Sequence, residues 1–334
     1  MRAVRFEASG VNLVDLPVPE PREGEVLVRV AAAGVCRTDL HLLHEIAAGK
    51  RGALVPGHEI AGTVAKAGKG VGRVHAGDPV VVHFEIPCGR CRACVRKKTN
   101  LCTDGETLGF TVNGGYAEYV RVPEDVVLLA PKAIELDQAA ILACSGATAY
   151  HTVVTLGGAD ERDVVAVIGT GGVGLSVVQV AKARGARVVA VDVRPEALAA
   201  ARQAGADGTA APEEALAAIL EATKDRGAEL VVDLVSTPAT MQLGVAALGA
   251  GGKLVEVAPG EEGVVVSPDL LLDKEIALLG AHSSTMADFA RAVDLAEARL
   301  LKPVVTRTAP LEEAEKVLRD LEGGKIVGRA VLHP

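Results

Sequence analysis

The sequence predicts an α/β protein of two domains, an irregular β-rich one and a doubly wound parallel sheet. Three observations carry that expectation. The first 130 residues are rich in Gly, Pro and short β-branched runs. From about residue 137 strand-like and helix-like stretches alternate, the pattern of a parallel sheet covered by helices. The string Gly169-Thr170-Gly171-Gly172-Val173-Gly174 stands between a continuous apolar run and a helical one. A length of 334 residues suits two domains. The expected division gives 1–142 and 282–334 to the β-rich domain, with a cysteine lobe at 86–103, and 143–281 to the parallel sheet.

Along the β-rich part, Val26-Leu27-Val28-Arg29-Val30, Thr63-Val64-Ala65 and Pro79-Val80-Val81-Val82 read as strands bounded by turn residues. Asp137 through Leu142 opens a helical stretch with Asp137 as the expected N-cap. Val164 to Ile168 is apolar throughout, as a strand covered on both faces should be. A helix from Val173 to Arg184 and a second strand, Arg187 to Val191, follow. Further strands are expected at Leu230–Asp233, Lys253–Val257 and Ile276–Leu279, so that two βαβαβ halves fit between about 143 and 281. Amphipathic helices near Met286–Glu297 and Leu311–Leu321 and a strand at Arg329–Leu332 complete the chain.

Composition narrows the partners. Hydrophobic residues make up 49% and charged residues 23%, ordinary for a globular protein. No run approaches 18 consecutive apolar residues, so no membrane span is expected. A net charge of −8 argues against the broad basic face that nucleic-acid binding needs, despite the local run Arg90, Arg92, Arg96, Lys97 and Lys98. The chain opens MRAVRFEASG, without an apolar run or cleavage signal, so a cytoplasmic location is expected. With three Asn and four Gln the chain is poor in thermolabile amides, which suits either a heat-stable protein or a GC-rich genome.

All six cysteines partition into two groups. Cys88-x2-Cys91-x2-Cys94-x7-Cys102 is a tight ladder, whereas Cys36 and Cys144 stand alone. Four thiolates in one loop can close a tetrahedron around zinc and leave no position open. Two isolated cysteines need a third ligand, and His58 in Gly57-His58-Glu59 supplies an imidazole. A Cys36, His58 and Cys144 set would leave zinc one open position for water or substrate. The alternative, three disulfides, suits a small exported protein, and a chain of this size buries its core without staples.

The glycine string has the context that a dinucleotide site requires, a buried strand before it and a helix after it. Gly169 permits the tight turn, Gly171 lets a pyrophosphate approach the backbone, and Gly174 permits close helix–strand packing. The helix N-terminus then offers free N–H groups to the phosphates. Asp192 ends the second strand, 18 residues beyond Gly174. A carboxylate there accepts from the ribose hydroxyls and repels a 2′-phosphate, which favours NAD over NADP. Arg194, two residues on, could partner that phosphate instead.

Taken together, Cys36-Arg37-Thr38-Asp39-Leu40-His41, Gly57-His58-Glu59, the four-cysteine ladder, Gly169 to Gly174 and Lys325-Ile326-Val327-Gly328-Arg329 resemble the zinc-dependent medium-chain alcohol dehydrogenases over essentially the whole chain. The resemblance implies a GroES-like catalytic domain and a Rossmann cofactor domain, one catalytic and one structural zinc, NAD, and reversible oxidation of a primary or secondary alcohol. It implies that Cys36, His58 and Cys144 bind the catalytic zinc, with Glu59 an acidic neighbour able to reach the metal. Asp39 is implied to orient the histidine, Thr38 to take the alcohol proton, and His41 to release it through the nicotinamide ribose towards solvent. Arg37 and Arg329 are implied to contact the pyrophosphate, Thr148 and Val173 to line the nicotinamide, and Cys88, Cys91, Cys94 and Cys102 to hold the structural zinc. A homotetramer or homodimer is implied. His44 and His83 could compete with His41 in a proton relay, and His83, Phe84, Ile46 and the segment Leu108 to Phe110 are expected to line a mostly apolar pocket. Cys144 itself argues modestly against the polyol and threonine branches, which often carry a carboxylate there.

Overall fold

The computed structural model describes residues 1–260 and 266–334. The chain divides into two units: Met1–Cys144 with Thr285–Arg299 and Pro303–Pro334, and Ser145–Ser284 with Leu300–Lys302.

The first unit is built on a seven-stranded sheet. Strand Glu25–Val35 pairs antiparallel with Glu59–Ala67, with Tyr119–Pro123 and with Arg329–His333. Pro79–Val82 and Val127–Leu129 extend it on one side, and Val305–Pro310 pairs parallel to Arg329–His333 on the other. The register between Glu25–Val35 and Glu59–Ala67 shifts twice, between Leu27 and Val28 and between Val30 and Ala32. Such bulges bend and twist a sheet. Alternating Val26, Val28 and Val30, with Ile60, Val64, Val80 and Val82, face one core that Val317 and Leu318 of helix Ala314–Glu322 also enter. That helix follows Pro310 through a 3₁₀ turn, Leu311–Glu313, so it starts later than the periodicity predicts.

The second unit is a six-stranded parallel sheet. Numbered along the chain, its strands are Val164–Ile168, Arg187–Val191, Gly208–Ala210, Ala228–Asp233, Leu248–Glu256 and Ala277–Gly280. They lie in the order third, second, first, fourth, fifth, sixth, the doubly wound arrangement in which a dinucleotide occupies the crevice beside the first strand. Val164–Ile168 is buried at all five positions, as its apolar run requires. Ala166, Ile168, Val189, Val191, Val231 and Leu254 meet Ile219, Val245 and Leu248 in the core on one face.

Another boundary differs from expectation. Helix Leu136–Ile141 is capped by Glu135, not by Asp137. The Glu135 N–H donates to Gln138 Oε1 at 3.4 Å, while Asp137 is drawn to His333 Nε2 at 2.9 Å. The helix then runs on through π-helical turns at Leu142–Gly146 and His151–Leu156. Among the described residues, the 21-residue run Leu136–Leu156 alone is long and apolar enough to cross a membrane, yet its most apolar window is 72% buried within the protein. Its apolarity serves the interior.

Candidate metal centre and cofactor site

Strand Glu25–Val35 delivers Cys36 to the first turn of helix Arg37–Ala47. Asp39 fixes that turn, because its Oδ2 accepts the Cys36 backbone N–H at 2.9 Å. Thr38, exposed on the same turn, places Oγ1 3.4 Å from Cys36 Sγ. His58 and Glu59 enter from the start of strand Glu59–Ala67, paired with Gly34 in register. Gly57 precedes them at φ +94°, and a Cβ there would lie 2.4 Å from Tyr116 Cδ1, so glycine is required twice over. Gly34 is similarly constrained, since its Cβ would sit 2.0 Å from Glu59 Oε2. Cys144 comes from the π-helical turn Leu142–Gly146, and such turns are frequent at functional sites.

These segments bring one donor atom each from Cys36, His58, Glu59 and Cys144 within 4.8 Å of one another, all inside the first unit. His58 Nδ1 stands 3.2 Å from Asp39 Oδ1, leaving Nε2 for a metal. Asp39 Oδ2 also accepts from the Tyr116 hydroxyl at 2.8 Å. Arg329 is buried among them, with Nε donating to Glu59 Oε1 at 3.1 Å and Nη2 to Cys36 Sγ at 3.4 Å. Phe84 and Phe110 cover the imidazole, each ring centre 5.1 Å from that of His58.

The electrostatics suit a soft divalent cation. Hydrogen bonding with Cys144 holds the Cys36 thiol well below its ordinary value against the cost of burial, with Arg329 and His58 acting the same way. That contact with Cys36, together with burial, pushes Cys144 well above its own. Burial alone would lower His58, but the Asp39 carboxylate outweighs it and holds the ring well above the usual imidazole value. A field that favours a proton on that ring favours a metal ion in its place. Burial pushes Glu59 up to about 7, against the pull of Arg329. Glu59 Oε2 is buried without a hydrogen-bond partner, and an orphaned carboxyl oxygen beside two thiols fits a bound cation, whose charge would draw the proton off.

The ladder passes a separate geometric check. A tetrahedron of sulfurs about 2.3 Å from zinc has edges of about 3.8 Å. Cys91 Sγ lies 3.5 Å from Cys94 Sγ and 3.8 Å from Cys102 Sγ, and all four sulfurs fall within 4.8 Å. Backbone N–H groups of Cys88 and Cys91 donate to Cys102 Sγ at 3.2 Å and Cys88 Sγ at 3.4 Å. Amide donors of this kind stabilise thiolates.

In the second unit the turn after Val164–Ile168 has Gly169 at φ +90°, and Gly171 caps helix Gly172–Ala183. A Cβ at Gly174 would approach Gly169 O to 2.0 Å, whereas one at Gly171 would meet nothing within 4 Å. The first is packing; the second leaves open space for a phosphate to approach the backbone. Thr148 is buried and Val173 half-buried. Asp192 Oδ2 accepts from the Thr170 N–H at 2.8 Å and from its hydroxyl at 3.0 Å. Asp192 Oδ1 accepts the Arg194 N–H at 3.0 Å, with Arg194 Nε 3.6 Å away.

The histidines, apolar residues and Arg37 singled out in the sequence divide between surface and core. His44 is exposed and paired with Glu322 at 3.3 Å, and His83 is buried against Phe84 and Phe289, whereas His41 is exposed on the Cys36 helix. Ile46 and Leu108 belong to the hydrophobic core. Arg37 is exposed. Tyr116, Thr170 and the Glu59–Arg329 pair escaped the sequence reading. The signal for Tyr116 is a rare aromatic, one of three tyrosines, directly after Gly114-Gly115.

A parallel doubly wound sheet and a thiolate–imidazole cluster together define a zinc-type oxidoreductase. Residues 22–132 match the alcohol dehydrogenase GroES-like domain, and 172–298 match the zinc-binding dehydrogenase family. An NAD-dependent alcohol dehydrogenase of Sulfurisphaera tokodaii is 35% identical over 347 residues, covering 100% of both chains. An L-threonine 3-dehydrogenase of Bacillus subtilis is 33% identical, over 98% of this chain and 96% of that one. A solved NAD-dependent alcohol dehydrogenase superposes with a TM-score of 0.93 at 31% identity, over 100% of both chains. The chain belongs to the zinc-dependent medium-chain alcohol dehydrogenases.

Proposed function

We propose that the protein oxidises simple primary or secondary alcohols to aldehydes or ketones with NAD, reversibly. The convergence of Cys36, His58 and Cys144 donors carries this reading. Cys36, His58 and Cys144 would hold a zinc ion, which would supply Lewis acidity, and the Gly169 turn would hold NAD, which would supply the hydride acceptor. The protein's own residues do the rest. The Asp39 carboxylate, 3.2 Å from Nδ1, pairs electrostatically with the His58 ring. Arg329 tethers Glu59 through Oε1 and sits beside the Cys36 sulfur. The Thr38 hydroxyl, 3.4 Å from that sulfur, holds the alcohol proton. His41, exposed on the same helix, is the exit to solvent.

Phe84 and Phe110 against His58 favour a small or medium apolar substrate over a polyol or amino alcohol. The ladder would hold a second, structural zinc, and Asp192 would favour NAD. We place the protein in the cytoplasm as a homotetramer or homodimer, from its family membership.

Reduction of NAD and NADP across alcohols of increasing length, with threonine, sorbitol and the matching aldehydes and ketones, tests the proposal on samples of measured zinc content. Expected are two zinc ions per chain and the highest kcat/KM with NAD and a simple alcohol. Highest kcat/KM with threonine or sorbitol would overturn the substrate class. Two bound zincs with no turnover of any substrate would overturn the activity.

A further inference from the structure

The carboxylate of Asp192 is almost fully committed before any cofactor arrives. A carboxylate offers about four acceptor positions, two on each oxygen. Thr170 takes both positions on Oδ2, through its backbone N–H at 2.8 Å and its hydroxyl at 3.0 Å. The Arg194 N–H takes one on Oδ1 at 3.0 Å. A single acceptor position on Oδ1 remains, and the Arg194 guanidinium stands beside it, with Nε at 3.6 Å. Thr170 is fully buried, and the Asp192 side chain is only 8% exposed. The carboxylate is therefore held in one orientation by a residue that faces no solvent.

We propose that Thr170 is a specificity-determining positioning residue, whose hydroxyl pins Asp192 so that the free acceptor position on Oδ1 is presented to the adenosine ribose and kept from a direct hydrogen bond with the Arg194 guanidinium. This rests on the reading of Asp192 as the ribose acceptor. Two competing partners surround that acceptor. When Asp192 is pinned, its negative charge faces the ribose, favours a 2′-hydroxyl and repels a 2′-phosphate. When it is released, the nearest cation draws it in. Tightening the 3.6 Å ion pair with Arg194 into a hydrogen bond would occupy that acceptor position and turn the charge away from the ribose, and both the hydrogen bond to the hydroxyl and the repulsion of the phosphate would weaken. Specificity is a difference of affinities. A buried hydroxyl that never touches the cofactor can thus set it.

The glycine string gives the reason for the placement. Gly169, at φ +90°, turns the chain at the end of the first strand. Thr170 is the next residue, while Asp192 follows Arg187–Val191, the strand paired in register with the first (Ile168 with Val191). The phosphate turn and the ribose acceptor are therefore tied by one side chain. A valine at 170 keeps the shape of threonine and the backbone N–H bond but removes the hydroxyl.

Dissociation constants of NADH and NADPH, measured by fluorescence titration of the zinc-loaded protein without alcohol, test this. Thr170→Val should weaken NADH by about 3- to 10-fold, the scale of one hydrogen bond, and leave NADPH within about twofold. Thr170→Ser, which restores the hydroxyl, should return the ratio of the two constants to that of the parent. Thr170→Ala is the second variant lacking the hydroxyl and should match Thr170→Val if valine impairs folding. An unchanged ratio in both, or an equal loss for both cofactors, overturns the positioning role. Asp192→Asn tests the underlying reading separately. If it leaves both constants unchanged, Asp192 is not the ribose acceptor. If it alters the ratio while Thr170→Val and Thr170→Ala do not, the acceptor stands and the role of Thr170 falls.

Discussion

The Tyr116 hydroxyl donates to Asp39 Oδ2 at 2.8 Å, with both side chains fully buried. That oxygen also accepts the Cys36 N–H, and the other oxygen faces His58 Nδ1. One carboxylate thus joins the start of a helix, the start of a strand and a distant tyrosine around two candidate metal donors. Outer-shell partners of this kind fix ligand orientation.

Removing that charge should loosen the metal more than the fold. Asp39→Asn is expected to lower affinity for the catalytic zinc by about 10- to 100-fold, read by competition with a chromogenic chelator. Tyr116→Phe should retain the zinc but cost about 1.5–3 kcal/mol of stability in urea denaturation, because a buried bond to a charged acceptor is lost. Equal zinc retention in Asp39→Asn and the parent would refute the orienting role.

The two cysteine groups should fail differently. Cys36→Ser is expected to abolish turnover and remove one zinc per chain with little change in Tm. Cys91→Ser should instead destabilise the 86–103 lobe, because metal binding energy is folding energy. Metal analysis paired with calorimetry checks both, and a Tm loss in Cys36→Ser equal to that in Cys91→Ser would contradict the division of labour.

Gly34 has no room for a side chain. Its Cβ would fall 2.0 Å from Glu59 Oε2 and 2.9 Å from Glu59 Cβ. Gly34→Ala should cost about 1–3 kcal/mol through overpacking. The loss should shrink when Glu59→Gly is added, a coupling that a double-mutant cycle measures.

Stability should also carry a pH signature from the second unit. Burial pushes Glu256 up to about 7 from an ordinary 4.5, and Asp233, its register partner, adds to the rise. The Ser236 hydroxyl, donating to Glu256 Oε2 at 2.7 Å, opposes it. The folded state then binds more protons than the unfolded state between those values, so stability falls as pH rises through that window. Glu256→Gln should flatten the fall between pH 5 and 7 and raise Tm above the parent at pH 8. Parallel Tm profiles for the two proteins would reject this.

What was legible in the sequence was local. Cys88 to Cys102 fall within one loop, so ligand spacing alone announces a closed tetrahedral site. Gly169 to Gly174 announce a turn with positive φ and a helix start, because only glycine tolerates that backbone next to a phosphate. The buried run Val164–Ile168 likewise declares a strand covered on both faces. Helix Leu136–Ile141 shows where even local reading slips, since Asp137 could cap it and Glu135 does.

By itself, the sequence determined the fold class and marked the Cys and His residues that converge in two candidate metal sites, with the glycine turn after the first parallel strand. Tertiary structure alone decided which groups hold these parts in place. Arg329 reaches Glu59 across 270 residues, and Tyr116 reaches Asp39 across 77. Their partners are chosen by strand register and close packing. Arg329–His333 lies beside Glu25–Val35, which pairs Gly34 with Glu59, and a missing Cβ at Gly34 leaves the space that Glu59 fills. Periodicity and spacing describe neighbours along the chain, while a buried charge takes whichever partner the folded chain brings within hydrogen-bonding distance.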